Sequence, residues 1–92
     1  MTRKTKTRKC DATADLVVLG RALCALRERA GITQARLAAL LTMDPTYVSR
    51  IEHGRRGVQW MTVQRFLRAL NADLHQLADA MSEVEKHQRA SK

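Results

Sequence analysis

The stretch from Gln34 to His53, QARLAALLTMDPTYVSRIEH, decides the fold. It reads as two short helices joined at Leu41-Thr42-Met43, a link too short to be anything but a turn. Thr33 stands at the N-cap of the first helix, where its hydroxyl accepts from backbone N–H groups that no carbonyl of the helix reaches. Ile32 before that cap and Leu37 four residues after it have the spacing of a hydrophobic staple, an apolar pair that fixes how the chain enters the helix. The second helix repeats the device. Asp44 is its cap, Pro45 takes the first helical position, where a missing N–H costs nothing, and Met43 is spaced to staple onto Val48. With those starting points, Leu37, Ala38, Leu41, Met43, Val48 and Ile51 face inward. Thr46, Ser49, Arg50 and His53 then share the outer face of the second helix.

A stapled pair of this length that presents a short polar-basic face is a helix-turn-helix, and the remaining residues are read as its support. Ninety-two residues suffice for one domain with a modest core. Hydrophobic residues make up 45% of the chain but aromatics only 3%, so the core is assembled from Leu, Val, Ile, Ala and Met, which suits helix-on-helix packing. One Pro and four Gly are too few for the many turns of an all-β fold. The expected class is all-α, a five-helix bundle preceded by a basic arm.

A net charge of +8 favours a polyanionic partner. Taken alone it also fits a ribosomal or membrane-surface protein. The positive charge lies on the first three-quarters of the chain, around the helix pair, whereas the residues after Leu70 are balanced to slightly acidic. Residues 1–10, MTRKTKTRKC, hold Arg3, Lys4, Lys6, Arg8 and Lys9 and no apolar residue between Met1 and Cys10. Such a segment buries nothing and is expected to be disordered in isolation. It is either a solubilising tail or an arm that tracks phosphates or enters the minor groove; the basic residues beside a helix-turn-helix favour the arm. Cys10 and Cys24 make no disulfide framework, and neither has metal-ligand spacing to His53, His75 or His87. Both read as incidental thiols rather than zinc ligands. With no signal peptide and no apolar run near 18 residues, the expectation is a cytoplasmic protein without a membrane span.

In chain order, the first helix begins near Thr13 or Asp15 and stops at Gly31, with Leu16, Leu19, Leu23, Leu26 and Ala30 forming its stripe. Arg21, Arg27, Glu28 and Arg29 fall off that stripe and are expected in solvent. After the helix pair, Gly54-Arg55-Arg56-Gly57 is a loop in which Gly54 allows a left-handed helix end. A fourth helix over about Gln59–Leu70 places Trp60, Val63, Phe66, Leu67 and Leu70 inward, with Trp60 read as core rather than as a platform for stacking bases. Asn71 suits a left-handed cap, and Asp73 with Gln76 forms a capping box for a fifth helix. The stripe Leu74, Leu77, Ala78, Met81 and Val84 runs past what a five-helix core needs. Leu77, Met81 and Val84 are therefore expected at a homodimer contact, the alternative being a frayed solvent helix. The divisions expected are an arm at 1–12, the domain at 13–84 and a polar tail at 85–92.

The segment Leu19–Met81 resembles the Cro/C1-type (Xre-like) helix-turn-helix family, whose members include small phage repressors of the lambda-repressor-like fold. The pieces that carry the resemblance are Ile32-Thr33-Gln34, Leu37-Ala38, the run Y-V-S-R-I-E-x-G-R-R at Tyr47–Arg56, T-V-Q-R-F-L-R-A-L in the fourth helix and D-L-x-x-L opening the fifth. The resemblance implies five helices and a homodimer on double-stranded DNA with a palindromic operator. By position it puts sequence-reading residues at Pro45, Thr46, Ser49 and Arg50, and backbone-clamping residues at Gln34, Arg55 and Arg56. The chemistry fits: Arg50 can pair bidentately with guanine O6 and N7, Thr46 or Ser49 can meet a base edge or a thymine methyl, and Gln34 sits where a helix N-terminus holds a phosphate. Glu52 falls at a position that is usually structural and is expected in an ion pair or cap. Two departures stand out. The turn position that is commonly Gly is Thr42 here, and a positive φ would strain its β-branched side chain by about 1–3 kcal/mol. Pro45 replaces what is often a polar reader.

The expected function is a transcriptional regulator in which residues 45–53 enter the major groove. An antitoxin or a restriction–modification controller of the same fold is the alternative; the D-P-T-Y-V-S and G-R-R-G-V stretches are similar to controller proteins. A protein partner such as a toxin or a polymerase is left open. A helical protein-interaction module with an incidental basic surface is the reading from a different class. An enzyme is disfavoured: there is no nucleophile–base pair, no paired carboxylates on one face, no phosphate-cradling Gly loop and no metal-spaced cluster, and no cofactor is expected. Asp11, Asp15, Glu83 and Glu85 read as helix-terminal or solvated.

Overall fold

The computed structural model describes residues 12–90. Among the described residues there are five helices and no strand: α1 (Ala12–Ala30), α2 (Gln34–Leu41), α3 (Pro45–Glu52), α4 (Trp60–Ala69) and α5 (Leu74–Ala90). The all-α expectation holds. Arg3, Lys4, Lys6, Arg8 and Lys9 lie outside the described residues.

One closure ends each of the first four helices. Gly31, Thr42, Gly54 and Asn71 have φ of 75°, 57°, 72° and 54°. At each, the next residue's N–H returns five residues: Ile32 to Arg27 O, Met43 to Ala38 O, Arg55 to Arg50 O and Ala72 to Leu67 O. The left-handed residue thus turns the chain out of the helix while satisfying carbonyls that would otherwise be orphaned. Gly and Asn adopt this conformation readily; Thr42 carries a Cβ branch into it, so the strain expected at that joint is present. The caps of α2, α3 and α5 are as read from the sequence, whereas α1 begins at Ala12 and α4 at Trp60. Thr33 Oγ1 accepts from Arg36 N at 3.0 Å, and Asp44 Oδ1 accepts from Thr46 N at 2.8 Å. Asp73 and Gln76 exchange reciprocal bonds of 2.9 Å.

Phe66, Leu23, Leu37, Ile51 and Val48 are the largest fully buried side chains and draw α1, α2, α3 and α4 around one core. On α1 the buried stripe is Val18, Ala22, Leu23 and Leu26, while Leu19 is half-buried and Ala30 is exposed. The reason is Gly20. A Cβ there would stand 2.2 Å from the Ile51 carbonyl oxygen and 2.8 Å from that of Glu52, so the backbones of α1 and α3 meet at this point and set α1's rotation. Arg65 adds a cross-tie by donating from Nη2 to the Leu41 carbonyl at the end of α2.

Two expectations are corrected. Trp60 is 54% exposed rather than core, because it is the first residue of α4 and lies beyond the edge of the Val63–Phe66–Leu67–Leu70 stripe. Leu77 is 4% exposed and belongs to the core of its own chain, which leaves it unavailable as a dimer contact in this conformation; α5 packs back along α1, burying Leu77 and Ala80 and half-burying Met81 and Val84. The stretch read as a polar tail continues α5 as far as Ala90.

Two substitutions test this account. Gly20→Ala should lower unfolding free energy by about 1–3 kcal/mol or more, since backbone rather than a yielding side chain occupies the space. Thr42→Gly should raise it by up to about 1 kcal/mol, the relieved strain exceeding the added chain entropy. Urea titration followed by circular dichroism reads both, and a destabilised Thr42→Gly would show the joint to be unstrained.

Candidate nucleic-acid interface

The second helix of the pair, α3, is held by its inner face. Val48 and Ile51 are fully buried, and Glu52 is 4% exposed, a carboxylate where charge is costly unless it is paired. Its partners come from two other helices. Arg27 of α1 donates from Nε to Glu52 Oε2 at 2.8 Å and from Nη2 to Oε1 at 3.2 Å. Gln34, opening α2, donates from Nε2 to Glu52 Oε1 at 2.8 Å. Arg27 also donates from Nη1 to the Ile32 carbonyl at 2.8 Å, closing the α1–α2 joint. Arg27 is therefore not on the solvated face where its spacing had placed it: its side chain is 12% exposed. The Glu52 hydrogen bonds raise the guanidinium pKa above its ordinary value, so Arg27 stays charged. Cys24 lies beside this pair at 3.5 Å from Nη2, and burial, with the Glu52 and Glu28 charges next, pushes its thiol pKa up. It remains a neutral thiol, in keeping with an incidental role.

Among the described residues, the outer face of α3 has no such tie to another helix. Pro45, Thr46 and Arg50 are exposed and Ser49 is half-exposed, so the structure brings all four to one surface. His53, the C-cap residue, lies with Nδ1 2.8 Å from the Ser49 carbonyl and 3.4 Å from its hydroxyl. Arg55 joins Ser49, Arg50 and His53 around a shallow depression of about 180 Å³. Arg56 is exposed too, but its guanidinium lies 4.7 Å from the centre of the Tyr47 ring, a cation–π contact that ties the loop back to α3. Gln34 differs from the expectation in one respect. One amide N–H is given to Glu52, which draws the side chain inward and leaves the backbone N–H groups at the start of α2 facing out.

Arg27 was missed because its partner lies 25 residues away and no local spacing signals it. Gly20 did carry a signal, a glycine within a helical pattern, which marks close approach of another backbone.

A family model described as a helix-turn-helix domain matches residues 18–80. The chain belongs to the helix-turn-helix domain family. Among solved structures it is similar to the restriction-modification controller protein C.AhdI from Aeromonas hydrophila, with 36% identity over 70% of this chain and 97% of that one, at a TM-score of 0.65. It is also similar to the clp gene regulator ClgR from Corynebacterium glutamicum, with 28% identity over 82% of this chain and 80% of that one, at a TM-score of 0.75. A mutant of a second restriction-modification controller protein, 23% identical, shares the fold at a TM-score of 0.70 over 78% of this chain and 92% of that one. Comparison with curated proteins returns no match. No described helix is long and apolar enough to cross a membrane.

Breaking the buried pair from one side should be severe. Glu52→Ala leaves the Arg27 charge buried without its counter-ion and should cost about 3–5 kcal/mol in urea unfolding. Adding Arg27→Met should return much of that loss; two additive losses would mean that the pair is not coupled.

Proposed function

We propose that this protein is a sequence-specific double-stranded DNA-binding transcriptional regulator, acting in the cytoplasm as a homodimer on a palindromic operator with α3 in the major groove. The observation that carries the reading is the division of α3: an inner face anchored by Val48, Ile51 and Glu52, and an outer face on which Thr46 and Arg50 are exposed and Ser49 half-exposed among the described residues. A reading helix needs both, because a side chain aimed at a base edge must ride on a rigid support.

In this reading Arg50 pairs with a guanine edge, while Thr46 and Ser49 meet a base edge or a thymine methyl. Pro45 frames the helix start and contributes shape alone. Arg55 and Arg56 clamp phosphates, and the α2 N-terminus at Gln34 offers backbone N–H groups to another. Arg3, Lys4, Lys6, Arg8 and Lys9 form an arm over residues 1–12 that follows the backbone beside a domain over 13–84. Within this class, a restriction–modification controller is the more specific reading, supported by the 36% identity to C.AhdI over almost all of that protein. An antitoxin lacks a comparable observation.

Selection of bound fragments from a random DNA pool tests the whole reading. The expected product is a two-fold symmetric motif with half-sites about one helical turn apart; an asymmetric motif, or none, would overturn it. Arg50→Ala should cost about 1–3 kcal/mol on the selected site and relax preference at one base position. Equal losses on selected and random DNA would make Arg50 a phosphate contact instead. Deleting residues 1–9 should flatten the fall of log K with log salt by about 0.9 for each phosphate that the arm neutralises, and an unaltered slope would reduce the segment to a tail.

A further inference from the structure

His53 closes α3 and is exposed, and its ring is held along one edge. Nδ1 lies 2.8 Å from the Ser49 carbonyl oxygen. A carbonyl can only accept, so Nδ1 carries the hydrogen and donates it there. The Ser49 hydroxyl, 3.4 Å from the same nitrogen, stands beside that bond. The tautomer is thereby fixed, and the second ring nitrogen, Nε2, bonds to nothing among the described residues. A neutral ring in this tautomer has a lone pair at Nε2 and accepts; a charged ring has an N–H there and donates. One proton converts the open edge of His53 from acceptor to donor.

The ring stands between two hollows. On the α1 side it lines one of about 360 Å³ together with Arg21, Cys24, Glu28 and Glu52. Glu52 is already bonded by Arg27 and Gln34, Cys24 is a neutral thiol, and Arg21 and Glu28 cancel in charge. His53 makes no ion pair with either acid among the described residues. On the other side it shares the depression of about 180 Å³ with Ser49, Arg50 and Arg55. That depression is lined by two guanidiniums and a hydroxyl and by no acid, which is the donor set of an anion site.

We infer that the protein takes up a proton as it binds DNA, at the imidazole of His53, which donates from Nε2 to a backbone phosphate seated between it and Arg55. This rests on the DNA-binding reading above and adds a condition to it. Imidazole is the side chain whose charge ordinarily changes across the neutral pH range, and a phosphate within about 4–6 Å favours its charged form. A neutral ring would set the Nε2 lone pair against a phosphate oxygen, acceptor against acceptor. The sign of the linkage follows. The contact contributes in full below the pH at which the free ring titrates, where His53 is charged before DNA arrives. It is lost as pH rises through the titration of the bound ring.

The test uses the full-length protein and the DNA selected from a random pool, with affinity read by fluorescence anisotropy at fixed salt. Affinity should fall by about tenfold or more per chain between about pH 6 and about pH 8.5. The fall of log K with log salt should be steeper at the lower pH, by about 0.9 for each imidazolium that meets a phosphate. His53→Asn should bind at the lower pH as the parent does at the higher one. His53→Arg should bind tightly at both, with the steeper salt dependence throughout. Titration calorimetry in two buffers of different ionisation enthalpy should find protons taken up by the parent beyond those taken up by either variant. His75, His87 and the terminal amine are common to all three proteins, so the differences isolate His53. A parent whose pH profile matches that of His53→Asn, or whose affinity rises with pH, overturns the inference and leaves the DNA-binding reading standing. A parent that binds no DNA at any pH overturns both.

Discussion

Glu52 brings a carboxylate into the interior at the end of α3, and the arrangement of α1, α2 and α3 follows from keeping that charge partnered. Burying an ion costs several kcal/mol, which is offset only when geometry is good and the remaining lone pairs are occupied. Here both carboxylate oxygens are bonded, one by Arg27 Nε and the other by Arg27 Nη2 and Gln34 Nε2. The charge therefore ties one helix to two others in a single geometry. A hydrophobic contact in the same place would tolerate sliding; a forked guanidinium on a carboxylate does not. The orientation of α3 is thus held by a directional contact as well as by packing.

The backbone cooperates with that constraint. Gly20 lets α1 reach the Ile51 and Glu52 carbonyls, which brings Arg27, two turns farther along α1, to the carboxylate. The left-handed closures then set the angles between successive helices without long loops. One of them, at Thr42, uses a residue poorly suited to the conformation. The turn keeps its shape because Leu41 is buried on one side, Met43 is half-buried on the other, and Arg65 holds the Leu41 carbonyl. Local strain persists where the surroundings over-determine the backbone.

Two surfaces of opposite character result. The outer side of α3 and the loop after it offers Thr46, Ser49, Arg50, Arg55 and Arg56, polar or cationic and exposed or half-exposed. The α4–α5 surface offers Trp60, Met61 and Leu74 with balanced charge. The first suits a polyanion and the second a neutral apolar partner, so the two do not compete for one ligand. Arg56 is the exception within the basic set, since its stacking on Tyr47 competes with a reach toward phosphate.

The sequence by itself determined the helix pair, its caps, its inward residues and the left-handed ends at Gly31, Gly54 and Asn71. All of these depend on residues within a few positions of one another, where spacing reports contact directly. It also placed Thr46, Ser49 and Arg50 on one outward face, because a capped start and a 3.6-residue period fix orientation. Tertiary structure decided the rest. Arg27 looked solvated because its partner is 25 residues distant, and Trp60 looked like core because periodicity measures angle around a helix but not whether anything covers that end. Leu77 read as surplus apolar stripe until α5 folded back on α1 and buried it. Helical periodicity tells which residues share a face; only the packing of one helix on another tells which face is left for a partner.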